Sequence, residues 1–440
     1  MPRRGVTVGK FYPPHRGHQR LIAAARSRCD DLTVIVGSRP GEDPPASLRL
    51  GWLRELFPNV RFLLVDDVYP EQPDVWAKVA VRLLGSVPDV AFAGEEYGAA
   101  WARHMGCEFE LIDRTAGDAA CSGTAVRADP LGHWDCLDAP VRAYYVARIV
   151  VVGAESTGTT TLSRALAGHY QTAWVREYGR EYYEARLRRG DGSAPWETNE
   201  FVAIATEQAR LEDQAAREAD RVLLCDTDPF ATEIWHERYV GAPSDAVAAI
   251  SRDRRYALYL LTGTDIPFQQ DGFRDGEKIR DWMHRRFAHE LEARGKHYLL
   301  LEGGPETRLR TAIAKIDEVI GLSRLYRPVG PEELDLIRDR SRSGYPARLA
   351  SQPIFYPVLN FEYAERIARD WNVRDSGYGA VTSCWVRRAF LDRYEVRQVG
   401  GPTALEYWIP SGELDAFNAN IVGRIQVVRE YGSRPGGEST

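Results

Sequence analysis

Two histidines three positions apart, His15 and His18, lie in a turn near the start of this 440-residue chain. The surrounding segment Gly5–Leu21 reads GVTVGKFYPPHRGHQRL, in which an apolar strand passes through the turn into a helix expected to begin near Gln19. Because the histidines flank Gly17, both imidazoles can point at one phosphate while the backbone approaches it closely. A buried histidine pair at a helix start is the alternative. It explains the spacing less well, because six positions match the pattern G-x-F-x-P-x-H-x-G-H.

The sequence SGTAVR, which begins at Ser122, contains a second set of anion-binding residue types. Ser122, Thr124 and Arg127 would place two hydroxyls and a guanidinium at the start of a helix, where backbone amides favour an anion. Taken alone, the segment is better explained by a capping serine or threonine and a solvated arginine. The histidine motif favours the phosphate interpretation.

A third phosphate signal occurs at Gly153–Thr160, GAESTGTT, between the apolar strand Arg148–Val152 and the helical pattern Leu162–Tyr170. It matches the P-loop G-x-x-x-x-G-K-[ST], whose amides cradle phosphates while the lysine pairs with the β and γ oxygens and the hydroxyl holds Mg²⁺. Here Thr159 occupies the lysine position, and Thr160 supplies the hydroxyl. Another cation must neutralise the transferring phosphoryl group, or the site binds without turnover.

Carboxylates follow the next two strands. Asp226 directly follows the apolar strand Val222–Cys225, and an acid at that position beside a P-loop is a usual Mg²⁺ partner, so we predict that Thr160 and Asp226 hold the metal. Asp228 is the second candidate, although a strand-end aspartate also caps a following helix. Glu177, at the end of an earlier short strand, is the candidate general base for a ribose 5′-hydroxyl.

The segment Thr262–Gly276, TGTDIPFQQDGFRDG, resembles the lid of nucleoside kinases, with Arg274 available to reach phosphate on closure. An ordinary surface loop explains it equally well. The cations that could replace the missing lysine are Arg176, Arg180, Arg274, Lys278 and Arg280.

The composition limits the classes of function. The net charge is −6 and no basic arm stands out, which argues against a general nucleic-acid binder. No apolar run reaches the roughly 18 residues of a membrane span, and the chain opens into a strand instead of a signal peptide. The cysteines show no metal-binding spacing, so we expect reduced thiols and a cytoplasmic protein. They are Cys29, Cys107, Cys121, Cys136, Cys225 and Cys384.

Strands and helices alternate over the first part of the chain, which predicts a parallel, doubly wound sheet with its ligands at the carboxyl ends of the strands. Strands are predicted near Val6–Val8, Leu32–Val36, Arg61–Val65, Val90–Ala93 and Phe109–Ile112. After about Leu325, helical and strand-like runs indicate a small α+β module in which no catalytic constellation is visible. Its aromatic residues, such as Trp385, Tyr407 and Trp408, are expected in a core.

These motifs resemble the nucleotidyltransferase superfamily, in which the H-x-G-H turn and an S-x-T-x-x-R segment grip ATP. The run from Ser122 to Tyr145 into the P-loop resembles the junction of bifunctional NadR-type proteins, and the likeness covers roughly residues 4–323. It implies an NMN adenylyltransferase fused to a ribosylnicotinamide kinase, with ATP as co-substrate, Mg²⁺, and NMN and nicotinamide riboside as small-molecule substrates. Some relatives carry an N-terminal helix-turn-helix domain, which we do not expect before Val6.

The expected fold is α/β: a Rossmann-like nucleotidyltransferase domain at 1–130, a linker at 131–147, a P-loop kinase domain at 148–324 and the α+β module at 325–440. We assign catalysis to His15, His18, Arg127, Glu177 and Asp226. We assign nucleotide binding to Gly9, Lys10, Phe11, Gly17, Ser122, Thr124, Gly153, Glu155, Ser156, Thr157, Gly158, Thr159, Thr160, Thr161 and Arg274.

Three alternatives stay open: an adenylyltransferase whose degenerate P-loop domain senses nucleotide, a nucleotidyltransferase with another acceptor such as pantetheine phosphate, and a non-enzymatic regulator. The sequence also leaves a homo-oligomer open.

Overall fold

A computed structural model describes residues 2–113, 121–270, 276–349, 351–401 and 404–434. The chain forms two compact units, Met1–Tyr145 and Val146–Thr440. Arg274, the predicted lid arginine, lies outside the described residues. Within the described residues, no helix is both long and apolar enough to cross a bilayer.

The first unit is built on the predicted parallel sheet, whose strand order is β3-β2-β1-β4-β5. Its strands are β1 Arg4–Gly9, β2 Asp31–Ser38, β3 Arg61–Asp66, β4 Val90–Ala93 and β5 Glu108–Leu111. Its helices are α1 Arg16–Arg26, α2 Ala46–Leu56, α3 Pro73–Leu84, α4 Tyr97–Met105, α5 Gly123–Ala128 and α6 Ala139–Tyr145. The central strands are largely buried and mostly apolar because helices cover both faces of the sheet. The doubly wound α/β prediction is therefore confirmed.

The residues expected to form a linker are folded. Trp134–Cys136 form one turn of 3₁₀-helix and α6 follows, and Cys136 and Val141 pack against Trp52 of α2 and Val126 of α5. Because this stretch buries apolar side chains of its own, it is part of the first core and not an exposed connection.

A disulfide joins Cys121 to Cys136, so the expectation of reduced thiols is wrong for this pair. The two cysteines are 15 positions apart, a separation with no local signature. The fold brings them together because the chain turns back after α5. The remaining cysteines are free thiols: Cys29, Cys107, Cys225 and Cys384.

The second unit begins with another parallel sheet, of order β10-β9-β6-β8-β7. Its strands are β6 Ala147–Val152, β7 Trp174–Val175, β8 Val222–Asp226, β9 Leu258–Thr262 and β10 Tyr298–Leu301. Its helices are α7 Thr159–Tyr170, α8 Tyr178–Arg188, α9 Thr198–Ala215, α10 Pro229–Val240, α11 Asp245–Ser251, α12 Arg280–Ala293 and α13 Pro305–Ile320. The P-loop follows the central strand β6, and β8 beside it carries Asp226 at its carboxyl end. We call residues 146–321 the P-loop part.

The rest of this unit, residues 322–434, is the antiparallel part, whose main sheet has the order β11-β13-β17. Its strands are β11 Leu322–Val329, β12 Ile354–Phe355, β13 Tyr378–Arg387, β14 Val396–Gln398, β15 Leu405–Tyr407, β16 Ile409–Pro410 and β17 Ile421–Gly432. Its helices are α14 Pro331–Asp339, α15 Phe361–Arg366, α16 Val373–Ser376, α17 Arg388–Leu391 and α18 Leu414–Ala419, with a π-helical stretch at Ile367–Asn372. Trp385 and Tyr407 are buried as predicted, whereas Trp408 is 36% exposed and the prediction is wrong for it.

A cluster of buried aromatic and charged side chains, the junction cluster, ties the two parts of this unit together. It consists of Tyr170, Asp220 and Arg221 from the P-loop part and Arg324 and Trp385 from the antiparallel part. The Trp385 ring stacks on Tyr170 with centroids 5.8 Å apart, and its indole N–H donates to Asp220 at 2.9 Å. Arg324 donates to the same carboxylate at 3.0 Å and to the Tyr170 carbonyl at 2.6 Å.

Candidate functional site

The histidine motif forms a compact pair of rings at the start of α1. His15 is the N-cap of this helix, and its Nδ1 accepts a hydrogen bond from the Gly17 amide at 3.1 Å, so the helix begins earlier than the sequence predicted. The rings of His15 and His18 stack with centroids 3.7 Å apart, and the Phe11 ring contacts His18 edge-on at 5.0 Å. A side chain at position 17 would press against the His15 ring. The spacing therefore produces the paired imidazoles that it predicted.

The SGTAVR segment lies directly beside this turn. Ser122 caps α5, and Arg127 donates to the carbonyl of Tyr12 and, at 3.1 Å, to the Thr124 hydroxyl. The guanidinium carbon also lies 4.4 Å from the centre of the Tyr12 ring. A Cβ on Gly123 would sit 2.8 Å from the Tyr12 carbonyl oxygen, so glycine permits this close approach. The structure thus brings His15, His18 and Arg127 to one end of the sheet, as the anion-site interpretation requires.

A buried arginine that the sequence did not single out supports the same turn. Arg49 of α2 is fully buried, and it donates to the carbonyl of Lys10 and pairs with Glu42. Burial lowers the pKa of Arg49, and the Glu42 carboxylate opposes that shift. Its position on an apolar helix gives no sign of this contact. Lys10 itself pairs with Asp67 at 3.6 Å, so its ammonium borders the site while held by a carboxylate.

The P-loop has the backbone that its sequence predicts. Gly158 has φ of +84°, a conformation that favours glycine, and α7 begins at the next residue. A Cβ on Gly153 would overlap the hydroxyl of Thr262 on β9. That hydroxyl is held in place by a hydrogen bond of 2.7 Å to the Thr157 hydroxyl. Arg308 donates to the Thr157 carbonyl at 2.7 Å from behind the loop. The loop is thus held in shape before any nucleotide binds.

Asp226 and Asp228 have different environments. Burial raises the pKa of Asp226 to about 6, while hydrogen bonds from Thr160 and Thr159 pull it in the other direction. This carboxylate therefore faces the hydroxyl that the motif assigns to the metal. Asp228 instead caps α10 by accepting from the Ala231 amide at 2.9 Å, and it also accepts from the Tyr259 hydroxyl at 2.7 Å. The second metal candidate is thus a helix cap and belongs to the core.

Glu155 of the P-loop binds groups from two other segments. It pairs with Arg238 of α10 at 3.0 Å, and it accepts a hydrogen bond from the Gly276 amide at 2.6 Å. Ser156 accepts from the Gln269 amide at 2.7 Å. Parts of the segment that resembled a lid therefore lie against the loop in this structure.

A cavity of about 170 Å³ opens beside the P-loop and is lined by Thr160 and Asp226. Glu177, the candidate base, also lines it, and α8 starts immediately after this residue. Part of the lining is aromatic and consists of residues that the sequence did not single out. Its members are Tyr183, Trp196, Phe201, Trp235 and Tyr239, which we call the aromatic wall.

The aromatic wall is a set of mutually packed rings. The ring centroid of Trp196 lies 5.2 Å from that of Phe201 and 5.4 Å from that of Tyr239. The ring of Trp235 stacks on that of Tyr239, with centroids 6.2 Å apart. The residues come from three helices and a loop, so no local pattern links them. Aromatic residues are about as frequent between the P-loop and β9 as in the whole chain, so composition gives no signal for the wall either. Such a wall can receive a flat ring.

Comparison with known proteins relates both sites to one set of relatives. Residues 148–308 match the family described as AAA domain. The "Trifunctional NAD biosynthesis/regulator protein NadR" of Escherichia coli (strain K12) is 30% identical over 346 residues, covering 73% of this chain and 84% of that protein. The "Nicotinamide-nucleotide adenylyltransferase" of Aeropyrum pernix is 32% identical over 161 residues, covering 32% of this chain and 90% of that protein.

Among solved structures, "NadR protein in complex with NR" superposes with a TM-score of 0.62 at 24% identity. The match covers 72% of this chain and 96% of that one. At this level of identity it supports the fold of the two consecutive parallel-sheet regions.

Proposed function

Because this chain belongs to the NadR family, we propose that it makes NAD from salvaged precursor by two reactions on one chain. The observation that carries the proposal is the presence of two separate groups of residues suited to phosphate binding, in the order of the family. One is the His15/His18/Arg127 group of the first unit, and the other is the P-loop with Asp226 in the second.

In the first unit the proposed reaction is adenylyl transfer from ATP to NMN. A phosphate oxygen of NMN forms a bond to the α-phosphorus of ATP as the bond to the bridging oxygen breaks, and pyrophosphate leaves with the negative charge. The stacked imidazoles of His15 and His18 and the guanidinium of Arg127 stabilise the triphosphate charge during this in-line displacement.

In the second unit the proposed reaction is phosphorylation of nicotinamide riboside by ATP. The aromatic wall takes the pyridinium ring, which is flat and cationic and so suits aromatic faces. This orientation places the ribose 5′-hydroxyl between the P-loop and Glu177, which accepts the hydroxyl proton. Thr160 and Asp226 offer the oxygen ligands that Mg²⁺ prefers. The ion, when bound, neutralises phosphate charge.

The test is to supply the purified chain with ATP and Mg²⁺ together with either NMN or nicotinamide riboside, and to identify the products. We expect NAD and pyrophosphate from NMN, and NMN and ADP from the riboside. Asp226→Asn should abolish only the second reaction. A wild-type chain that adenylylates NMN but leaves the riboside unchanged would contradict the kinase half.

Trp235→Ala tests the aromatic wall separately. It should raise KM for nicotinamide riboside, because the ring loses its contact, while KM for ATP stays near the wild-type value. Trp282→Ala, at a tryptophan of α12 that is 37% exposed, is the matched control. Equal effects of the two substitutions would speak against ring binding at the wall.

One observation favours a second candidate function. Thr159 stands where a P-loop kinase has its lysine, which suits an adenylyltransferase whose P-loop part only senses nucleotide. If this candidate is right, the P-loop part should bind ATP, and Asp226→Asn should weaken that binding. No nucleoside should be phosphorylated.

A further inference from the structure

The P-loop of this chain needs a cation that its own sequence does not supply. In phosphoryl transfer, charge builds on the oxygens around the γ-phosphorus and on the bridging oxygen, and a lysine in the loop normally neutralises part of it. Thr159 carries no charge. The following assignment rests on the proposed kinase activity and asks which group provides the missing positive charge.

Arg280, the first residue of α12, contacts the P-loop directly. One of its terminal nitrogens donates to the Ser156 carbonyl at 3.3 Å and to the Ile266 carbonyl at 3.1 Å. The side chain of Ile266 lies against the position of Gly158, the last glycine of the loop. The guanidinium is therefore held at the rim of the loop by neutral carbonyl groups.

The charge of Arg280 is not neutralised by a carboxylate within the described residues. Its Nε is enclosed by protein and makes no hydrogen bond there. By contrast, two other arginines at the loop are already paired, Arg238 with Glu155 and Arg308 with Asp265. A guanidinium whose hydrogen-bond partners among the described residues are neutral carbonyls retains its attraction for a phosphate.

The remaining candidates from the sequence fit less well. Arg180 is exposed and lies 3.4 Å from Glu184, and Arg176 is exposed and lies over the Trp174 ring. Lys278 is also exposed. Arg280, by contrast, has a hydrogen bond to the P-loop in this structure.

We propose that the guanidinium of Arg280 takes the place of the P-loop lysine and binds the β and γ phosphate oxygens of ATP. The ribose 5′ oxygen forms its bond to the γ-phosphorus while the bond from that phosphorus to the bridging oxygen breaks. The hydroxyl proton passes to Glu177, and ADP leaves with the electron pair of the broken bond. The other terminal nitrogen of Arg280, which the Ser156 and Ile266 contacts do not use, can donate to these oxygens.

Arg280→Gln in the full chain tests the assignment, because glutamine keeps a polar side chain of similar width but carries no charge. We expect kcat for nicotinamide riboside phosphorylation to fall about 10²–10³-fold, with the larger loss in kcat and a smaller change in KM for the riboside. NAD formation from NMN by the same preparation should be unchanged, which reports that the first unit is folded, and an unfolding temperature close to wild type should report the same for the second unit. Arg285→Gln, at an exposed arginine of the same helix, is the matched control.

Adding Thr159→Lys to Arg280→Gln gives the decisive comparison. If Arg280 replaces the lysine, the double variant should recover most of the lost kcat, whereas Thr159→Lys alone should gain little. Turnover close to wild type in Arg280→Gln would overturn the assignment and leave the proposed kinase intact. A wild-type chain that phosphorylates no riboside would overturn the kinase proposal and the assignment with it.

Discussion

Replacing Trp385 by alanine should strongly destabilise the second unit. Trp385 lies on β13 in the antiparallel part and is 3% exposed. Its ring stacks on the Tyr170 ring with an offset, and the two ring planes differ by 5°. The ring also lies under two guanidinium groups, with Arg221 at 5.6 Å and Arg324 at 5.4 Å from its centre. One substitution therefore removes a stacked pair, two cation–π contacts and a hydrogen bond to Asp220.

The magnitude follows from these contacts. Removing a buried tryptophan side chain costs about 3–5 kcal/mol of the free energy of unfolding. Asp220 keeps its ion pairs with Arg221 and Arg324, so no buried carboxylate is left unpaired, and we expect a value inside that range. For a unit of this size, such a loss lowers the unfolding temperature by about 10 °C.

The assay is thermal unfolding followed by calorimetry, in parallel with the temperature at which each activity is lost. Riboside phosphorylation should be lost at a lower temperature in Trp385→Ala, while NAD formation, which belongs to the first unit, should be lost at the wild-type temperature. Trp371→Ala, at a tryptophan that is 56% exposed in the same part of the chain, is the control. A shift no larger than that of the control would refute the view that the junction cluster stabilises the P-loop part.

Three further predictions follow from other contacts. His18→Ala should slow NAD formation by about 10²–10³-fold, because one charge-stabilising ring is lost, and riboside phosphorylation should be unchanged; adenylyl transfer close to the wild-type rate would remove His18 from the site. Cys136→Ser should lower the stability of the first unit by about 3 kcal/mol, since the disulfide closes a loop of 15 positions. Denaturation of the wild type with and without a reductant should show the same difference. Equal denaturation midpoints under the two conditions would contradict this prediction. Burial raises the pKa of Asp317 from 3.8 to about 7, so between these values the folded chain holds a proton that the unfolded chain has released. The contribution of Asp317 to stability should therefore fall as pH rises from about 4 to 7, so the unfolding temperature of Asp317→Asn relative to that of the wild type should rise across that range.

The parts of this structure that a local pattern encodes could be predicted from the sequence. The strand–helix alternation predicted the parallel sheet of the first unit, and the strict spacing of the histidine motif predicted paired imidazoles at the start of a helix. The same holds for the P-loop backbone, because Gly158 needs a positive φ that few other residues adopt. In each of these cases the information lies within about ten neighbouring residues.

What could not be predicted depends on contacts between distant segments. The side chains of Asp226 and Asp228 are chemically identical and two positions apart, and the sequence left the metal and helix-cap roles of Asp228 open. The contact with Tyr259 of β9, which holds Asp228 in the core, comes from a distant segment. The Cys121–Cys136 bond and the aromatic wall likewise require the chain to fold back before their members meet. Arg49 sits among apolar neighbours, so its burial against Glu42 had no signal in the local sequence.

The junction cluster also sets a rule for how related chains can differ. A relative that keeps the P-loop part but lacks the antiparallel part would expose the Tyr170 ring and leave Arg221, now 2% exposed, without the indole that covers it. Positions 170, 220, 221, 324 and 385 are therefore expected to change together among homologues, although up to 215 positions separate the first from the last. Chains that end after α13 should carry small or polar residues where this one has Tyr170 and Arg221. A homologue that lacks the antiparallel part should therefore also differ in the P-loop residues that this part covers here.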